Sequence, residues 1–262
     1  MTTTVYDVGA SLVASDSRWS AYVNLLDGQY LFFVDNTGFN KLVDRLGAVL
    51  VLAGDGELIA EWKKWWACDE LNIHAMPEVA LSEIRKISVM IVSKEDREIL
   101  FDAGPKLAIA DEFEDNNARR YLAVFSGSGQ QFASQCWFDN RCYNQSIVTA
   151  SANDPCTGGD VKYINFATSA HNTSDENFDY TSIEKSLMER GMLMKLADKN
   201  VIPLDQHHQS EEIKNKIASG AIRASAPSGK ESTFVWDEAR LEKLNQAINK
   251  VSEIEHRMSA QR

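Results

Sequence analysis

The sequence predicts an α+β domain in which helices pack on a sheet, and three observations lead to this prediction. Strand-like segments dominate the first third of the chain, a helical segment follows residue 56, and a second helix follows a Gly/Ser turn near residue 127. Strands in runs, with helices between the runs, are typical of an α+β fold, whereas alternating βαβ units would predict a parallel sheet. The length of 262 residues fits one large domain, or one domain with an appendage.

The first strands form a predicted hairpin. Residues Thr3–Ala14 alternate in polarity and then become apolar, with Gly9 at a turn, which predicts a strand, a turn and a strand. Two further strands are predicted at Tyr30–Val34 and Ala48–Ala53, and the turn-forming residues Asp35–Gly38 follow the first of them. Together these segments supply the first part of the sheet.

The hydrophobic period changes after the glycines of AGDGE, where a helix is predicted. One stripe of this helix carries large apolar side chains that favour a core or an interface over a substrate pocket: Leu58, Trp62, Trp65 and Trp66. Strand character returns at three segments, Ile87–Val92, Ile99–Asp102 and Leu107–Ala110. The segment YLAVFSGSGQQFASQCWFD predicts a strand, a turn and a helix, and DVKYINFAT predicts one more strand.

The last predicted strand of the first part ends near residue 167, and a polar loop follows it. We therefore predict a core in residues 1–167 and an extension of strands and helices in residues 168–262. A helix interrupted at Gly191 is predicted within SIEKSLMERGMLMKLADK. The segment ASAPSGKEST, near residues 224–233, has the composition of a flexible linker. The last segment predicts an amphipathic helix. Its apolar seam is short for a coiled coil, so docking on its own domain and pairing with a neighbouring subunit both remain open.

Charge and composition argue against several classes of function. A net charge of -11 argues against general nucleic-acid binding, because phosphates attract clustered Lys and Arg. The chain lacks an apolar run of the roughly 18 residues that cross a bilayer, and it lacks a secretory signal, so we expect a cytoplasmic protein without a membrane partner. The four cysteines and five histidines are scattered without the spacing of a zinc site or a disulfide framework. We therefore expect no metal and no other cofactor.

The beginning of the chain, MTTTVYDVGASLVASDSR, carries a candidate nucleophile. A threonine hydroxyl attacks a carbonyl only when a base takes its proton, and at an N-terminal threonine the α-amine can be that base. Removal of Met1 would expose Thr2 in this way. A nearby lysine helps to keep the amine neutral, an acid holds that lysine, and a backbone N–H binds the oxyanion. Candidates follow in this order: Asp16, Lys41 and the AGDG at residues 53–56.

These motifs resemble those of proteasome β-type subunits and the related bacterial ATP-dependent peptidase rings, which are N-terminal-nucleophile hydrolases of the threonine-peptidase class. TTTV…ASDSR resembles their amino-terminal signature. FNKLVDRLGAVLVLAGDGELIAEWKKW resembles the stretch in which a Lys-bearing strand precedes a strand that ends in Ala-Gly-Gly. FSGSGQQFA resembles the turn before their next long helix, and NDPCTGG resembles their Asp-x-x-Ser/Thr-Gly-Gly block. The four motifs occur in the family order over residues 2–167.

The resemblance implies a role for each matching residue. Thr2 would be the nucleophile, its α-amine the base, and Asp16 the anchor of Lys41. Arg18 would support this pair electrostatically, and Gly54 would donate the N–H that binds the oxyanion. The remaining matches would orient the amine and its associated water, or allow the backbone to approach closely: Ser128, Asp154, Thr157, Gly158 and Gly159.

The chain departs from the family pattern in three places. The interval between Arg18 and Lys41 is long, which predicts an inserted hairpin around VNLLDGQYLF. Asp55 replaces the second glycine of Ala-Gly-Gly and puts another acid beside the oxyanion region. The stretch 72–86 is too short for the family's second long helix, and in the family such helices often form subunit contacts.

The resemblance implies a four-layer αββα sandwich of the N-terminal-nucleophile hydrolase type with a helical C-terminal extension. It also implies a threonine peptidase that acts on peptide or protein substrates. A small-amide amidohydrolase of the same fold and a non-catalytic, proteasome-like assembly protein are the alternatives. Family members usually form rings, so a homo-oligomer is expected. Such rings often work with a separate ATPase, and this chain carries no P-loop of its own.

Overall fold

The computed structural model describes residues 2–77, 87–112, 119–228 and 236–260. Within these ranges the chain forms two antiparallel sheets and six α-helices, which confirms the α+β class. The strands are β1 (Thr4–Asp7), β2 (Leu12–Ser15), β3 (Trp19–Leu25), β4 (Gly28–Val34), β5 (Leu42–Asp44), β6 (Ala48–Asp55), β7 (Ile87–Ser93), β8 (Ile99–Ala103), β9 (Lys106–Glu112), β10 (Arg119–Ser126), β11 (Lys162–Asn165), β12 (Met192–Lys195), β13 (Val201–Pro203) and β14 (Ser225–Ala226). The helices are α1 (Gly56–Trp66), α2 (Gln130–Asn140), α3 (Tyr143–Asn153), α4 (Thr181–Arg190), α5 (Ser210–Ala218) and α6 (Glu238–Ala260).

The smaller sheet contains the beginning of the chain. Its strand order is β11-β2-β1-β10-β9, and every pairing is antiparallel. The predicted first hairpin is confirmed, because β1 and β2 pair with Thr4 opposite Ser15. On the other side of β1, Thr4 lies opposite Ser126 at the end of β10. The residues that precede β1 and follow β2 and β10 therefore meet at one edge of this sheet.

The larger sheet has the order β13-β12-β4-β3-β14-β6-β7-β8, and β5 pairs with β6 outside this path. The inserted hairpin is confirmed as β3 and β4, which pair along their whole length. The three segments from residues 192–226 supply β12, β13 and β14 to the same sheet. The two-residue strand β14 lies between β3 and β6 and pairs with both.

Apolar side chains form separate clusters on the two sheets. The larger sheet carries α1, α4, α5 and α6, and the cluster there includes the predicted stripe of Leu58, Trp62, Trp65 and Trp66. Helices α2 and α3 pack against the smaller sheet through Trp137 and Ile147. A third cluster joins apolar side chains from both sheets: Tyr6, Val13, Leu42, Val49, Val51, Met90, Val92, Val124 and Ile164.

The terminal helix α6 docks on its own domain, as the first of the two alternatives predicted. Its buried face packs into the cluster of the larger sheet through Leu244, Ala247, Ile248 and Val251. An ion pair of 2.8 Å between Arg45 and Glu255 lies at the edge of this contact. Within the described part of the chain, no helix has the length and apolarity needed to cross a bilayer.

Two predictions for the extension are corrected. The helix predicted to be interrupted at Gly191 ends at Arg190, and strand β12 begins at Met192. Gly191 fits there because a Cβ atom would collide with the Leu187 carbonyl and the Phe32 ring. The flexible linker predicted near residues 224–233 is wrong for Ser225–Ala226, which form β14 and pair with both β3 and β6. Residues 229–233 of that linker, and 78–86 of the stretch expected to lack the second long helix, lie outside the described residues.

Lys63 on α1 connects the helix to two loops, one before β5 and one before α4. Its buried ammonium donates hydrogen bonds to the carbonyl oxygens of Asn40 (3.0 Å) and Asn177 (2.7 Å) and to the Glu176 carboxylate. It also lies 3.7 Å from the centre of the Phe39 ring. Desolvation by burial lowers the pKa of Lys63 to about 8, against the opposing influence of Glu176.

We expect this lysine to make stability rise with pH. Between pH 8 and 10.5 the unfolded chain holds the Lys63 proton and the folded chain releases it, so raising the pH favours the folded state. Relative to Lys63→Met, the wild-type free energy of unfolding should increase by about 2 kcal/mol between pH 7 and pH 10. Urea unfolding of both chains at the two pH values measures this difference. A constant difference between the chains would show that Lys63 keeps an ordinary pKa.

Candidate active site

Asp16 is the centre of a buried cluster at the edge of the smaller sheet. It directly follows β2, and 1% of its surface is exposed. Its Oδ1 atom accepts hydrogen bonds from the Thr2 hydroxyl, from the Thr3 backbone N–H (2.9 Å) and from the Lys41 ammonium (2.8 Å). Hydrogen bonds between an ammonium and a carboxylate are stronger than those between neutral groups. The structure thus brings Thr2, Asp16 and Lys41 into direct contact.

The second carboxylate oxygen of Asp16 holds the backbone on the other side. Its Oδ2 atom accepts hydrogen bonds from the backbone N–H groups of Gly158 and Arg18, both at 3.1 Å. One acidic side chain therefore joins the beginning of the chain, the residue that precedes β5, and the Thr157–Gly159 turn. Five donors on one buried side chain leave little freedom for it to rotate.

Backbone pairing places Thr2 beside Asp16. The Asp16 N–H donates to the Thr3 carbonyl (3.1 Å), which continues the hairpin beyond β1, and the Gly129 N–H donates to the Thr2 carbonyl (3.2 Å). Gly127 has a φ of 89°, and a Cβ atom there would overlap the Thr2 carbonyl. The glycines of the SGSG motif therefore permit the chain to pass directly against Thr2. Thr2 itself has no exposed surface.

Lys41 enters the cluster from the larger sheet. Its carbonyl accepts a hydrogen bond from Leu52 N–H (2.8 Å), which fixes the backbone just before β5. Its side chain is fully buried, with the ammonium 5.5 Å from the centre of the Trp19 ring. Desolvation lowers the pKa of Lys41, while the attraction of Asp16 acts in the opposite direction. A lysine that gives up its proton more readily is suited to proton exchange with a neighbouring hydroxyl or amine.

Asp154 organises a second set of hydroxyl groups next to the first. It follows α3, and its Oδ2 atom accepts hydrogen bonds from the hydroxyls of Ser128 (2.8 Å) and Thr157 (2.7 Å). The Thr157 hydroxyl also lies 2.9 Å from the Thr3 hydroxyl. The predicted group of Ser128, Asp154 and Thr157 is therefore joined by hydrogen bonds, and Thr3 connects it to the residue that follows Thr2.

Arg18 contacts Asp16 through its backbone, and its side chain lies elsewhere. The guanidinium binds the Asp35 carboxylate with two hydrogen bonds, of 2.8 and 2.9 Å, and donates a third to the Pro155 carbonyl (2.7 Å). It also lies 3.8 Å from the centre of the Phe33 ring. Arg18 therefore holds the turn that precedes Thr157 against the β3–β4 hairpin. Asp35, which its neighbours in the sequence predict to be a turn residue, is therefore also the partner of Arg18.

Gly158 is expected to tolerate no side chain. A Cβ atom there would overlap the Arg18 guanidinium, which its bonds to Asp35 and Pro155 prevent from moving aside. Gly158→Ala should lower the free energy of unfolding by about 1–3 kcal/mol, as overpacking does. Gly9→Ala is the matched control, because its nearest contact would be an ordinary 3.6 Å, and its effect should stay within about 0.5 kcal/mol. Urea unfolding measures the effects of both substitutions, and equal effects would mean that the Arg18 side chain moves aside to accommodate the alanine.

Gly54 belongs to neither hydrogen-bonded cluster within the described part of the chain. It is the second-last residue of β6, and it lies opposite Ile87 on one side and Ala226 on the other. Strand β5, which begins directly after Lys41, runs beside β6, since Leu42 pairs with Val51. The adjacent Asp55 caps α1 by accepting a hydrogen bond from Leu58 N–H (2.9 Å). The acid that departs from the Ala-Gly-Gly pattern thus has a structural role.

The arrangement has the parts required to activate a hydroxyl. Thr2 offers the hydroxyl, Asp16 and Lys41 offer an ion pair in contact with it, and the Asp154 group offers further proton-bearing hydroxyls nearby.

Among the described residues, no group of three or more His, Cys, Asp or Glu side chains is placed to hold a metal ion. In comparisons with known proteins, no protein family matches this chain and no curated protein matches its sequence.

Proposed function

We propose that the protein is a threonine-type amide hydrolase, a proteasome-like peptidase, in which Thr2 is the nucleophile once the peptide bond before it has been cleaved. One observation carries this proposal: the hydroxyl of Thr2 and the ammonium of Lys41 bind the same oxygen of a buried carboxylate, Asp16. A surface threonine in a chain terminus would have no reason to lie in such a contact. Cleavage before Thr2 would add a free amine to the cluster.

The proposed reaction proceeds through an acyl-enzyme. The Thr2 α-amine accepts the proton of the Thr2 hydroxyl as the oxygen attacks the amide carbonyl carbon of the substrate. The tetrahedral intermediate collapses when the C–N bond breaks, and the leaving amine takes the proton from the α-amine. Water then attacks the resulting ester while the α-amine accepts a proton from it, and the amine returns that proton to the Thr2 oxygen as the ester C–O bond breaks and the acid is released. Bond formation and proton transfer balance without any further reactant.

Each neighbouring group supports one part of this proposed reaction. The Lys41 charge disfavours protonation of the α-amine and stabilises negative charge that develops on the Thr2 oxygen, and Asp16 fixes the position of that charge. Ser128, through its bond to Asp154, provides a hydroxyl that orients the amine. Gly54 provides the backbone N–H for the oxyanion.

We also propose that the fold is the four-layer αββα sandwich of the N-terminal-nucleophile hydrolases. Support comes from the three clusters: helices pack on each sheet, and the third cluster takes side chains from both sheets. In this arrangement α6 supplies a helix over the larger sheet, where the family's second long helix is expected and the stretch after α1 is short.

Mass spectrometry of the purified chain tests the proposed function. The intact mass should show that the chain begins at Thr2, and treatment with a peptide epoxyketone or vinyl sulfone should add one probe that maps to Thr2. Peptide and small-amide substrates compared by kcat/KM then separate a peptidase from a small-amide hydrolase. A chain that retains the residue before Thr2, or a probe attached elsewhere, would overturn the proposal.

A further inference from the structure

The larger sheet contains a gap that the chain fills with a distant segment of itself. Strands β3 and β6 do not pair with each other; Ser225 lies opposite Ser20 of β3 and Asp55 of β6, and Ala226 lies opposite Gly54. Both neighbours are antiparallel to the inserted strand. A gap with a free strand edge on each side binds an extended peptide by main-chain hydrogen bonds.

The gap lies at the candidate active site. Its β3 side begins three residues after Asp16, and its β6 side consists of Gly54 and Asp55, beyond the part of β6 that pairs with β5, the strand that directly follows Lys41. A substrate whose carbonyl is to reach the Gly54 N–H must run alongside this end of β6. Ala226 occupies that position in the structure. Any peptide that reaches the site as an extended strand therefore competes with the chain's own residues.

Several contacts hold the segment in place. The Tyr180 hydroxyl accepts a hydrogen bond from Ala224 N–H (2.8 Å), and the Ser225 hydroxyl donates to the Ser20 carbonyl (3.3 Å). Arg223 forms an ion pair of 2.8 Å with Glu57 at the beginning of α1. The paired part of the segment, β14, has two residues, so it forms fewer ladder hydrogen bonds than a long central strand of the same sheet.

The shape of the gap selects small side chains. Ala224 and Ala226 are both buried in the cluster of the larger sheet, with exposed fractions of 1% and 0%. The Ala224 carbonyl lies against Gly56, where a Cβ atom would collide with it. Alternate residues of a strand face the same side, so a peptide in this gap places two small residues at positions i and i+2 on the helix-covered face.

We propose that residues 223–226 are an internal peptide ligand: they fill the substrate slot between β3 and β6 and must leave before an extended peptide with small residues at i and i+2 can bind. This inference rests on the proposed function for its biological consequence, inhibition of the hydrolase by its own chain. A tethered segment acts at an effective concentration on the order of millimolar, so it reduces the apparent affinity of any added peptide.

The test measures peptide binding in the full chain with Thr2→Ala, so that a failure of hydrolysis does not affect the result. The probe is a fluorescein-labelled peptide that copies residues 222–228, IRASAPS. Ser225→Pro removes the central N–H of the internal strand and should bind the probe at least about ten-fold tighter. Tyr180→Phe removes the hydroxyl that holds Ala224 and should bind it about 3–10-fold tighter.

Matched controls distinguish release of residues 223–226 from a general loss of stability. Ser225→Ala keeps the backbone N–H and loses only the hydroxyl bond to Ser20, so its affinity for the probe should rise much less than that of Ser225→Pro. Tyr143→Phe changes a tyrosine on α3 that packs on the other sheet, and this variant should bind the probe as the parent does. A probe methylated at the nitrogen of its serine in the ASA segment should bind none of the chains. Equal affinity of the parent, Ser225→Pro and Tyr180→Phe would overturn the proposal, and so would tight binding of the methylated probe. Should Ser225→Pro fail to fold, Tyr180→Phe decides the outcome.

Discussion

Replacing Thr2 with alanine is expected to lower kcat/KM for peptide hydrolysis by at least about 10³-fold and to abolish covalent labelling, because the change removes the hydroxyl that contacts Asp16 beside Lys41. The loss should appear in kcat, since the reacting oxygen contributes to the transition state and little to substrate binding. Thr2→Ser keeps a hydroxyl on the same carbon and should retain both labelling and measurable turnover.

The adjacent threonines provide the control for this experiment. Thr4→Val removes a hydroxyl that bonds to Ser126 at 2.6 Å and keeps the shape of the side chain in β1. Its kcat/KM should remain within about two-fold of wild type, since its contact is structural. Activity that survives in Thr2→Ala, or that disappears equally in Thr4→Val, would reject Thr2 as the nucleophile.

Asp16→Asn is expected to produce the largest loss of stability, about 3–5 kcal/mol, together with loss of activity. Asp16 accepts five hydrogen bonds through two oxygens, and an asparagine must turn an NH₂ group toward donors on one side or the other. Lys41, whose side chain is fully buried, would then lack its carboxylate partner. A buried charge without a counter-ion is strongly unfavourable, so the folded state loses free energy whichever way the amide turns.

Urea unfolding at pH 7 measures this loss, with Asp179→Asn as the matched control. Asp179 is exposed, and its two carboxylate oxygens accept hydrogen bonds from the backbone N–H and from the hydroxyl of Thr181. An asparagine oxygen can still accept the N–H bond, and the Thr181 hydroxyl can accept a bond from the asparagine NH₂ group. Its effect should stay below about 1 kcal/mol. A loss of the same small size in Asp16→Asn would mean that the carboxylate cluster contributes little to the fold, and Lys41 would then need another explanation for its burial.

Local patterns in the sequence predicted most of the elements around the site. Alternation identified the first hairpin, short apolar segments identified strands β4, β6 and β7, and the change of period after AGDGE identified α1. These predictions succeed because burial selects apolar residues in a pattern that is visible in a short window, either on one face of a helix or along the whole of a strand such as β7, which is buried on both faces. The order of the motifs also named Thr2, Asp16 and Lys41, which the structure places in contact.

The features that the sequence analysis missed depend on contacts between distant residues. Strand β14 has two residues and therefore no period, and its partners lie 170 or more positions away in the chain. Asp35 was missed for a different reason. Trp19 pairs with Val34, so the residues that flank the hairpin, Arg18 and Asp35, must meet. The register of the predicted hairpin would have been sufficient to find this pair.

The insertion of β14 has a consequence for the newly made protein on the ribosome. Strands β3 and β6 are complete once residue 55 has been synthesised, whereas the residues that bridge them come at positions 225 and 226. At translation rates of roughly 5–20 residues per second, the facing edges of β3 and β6 lack their pairing with β14 for on the order of ten seconds or longer. During that interval a nascent chain with exposed edges is open to pairing with other polypeptides, and the exposure ends only when residues 225 and 226 emerge.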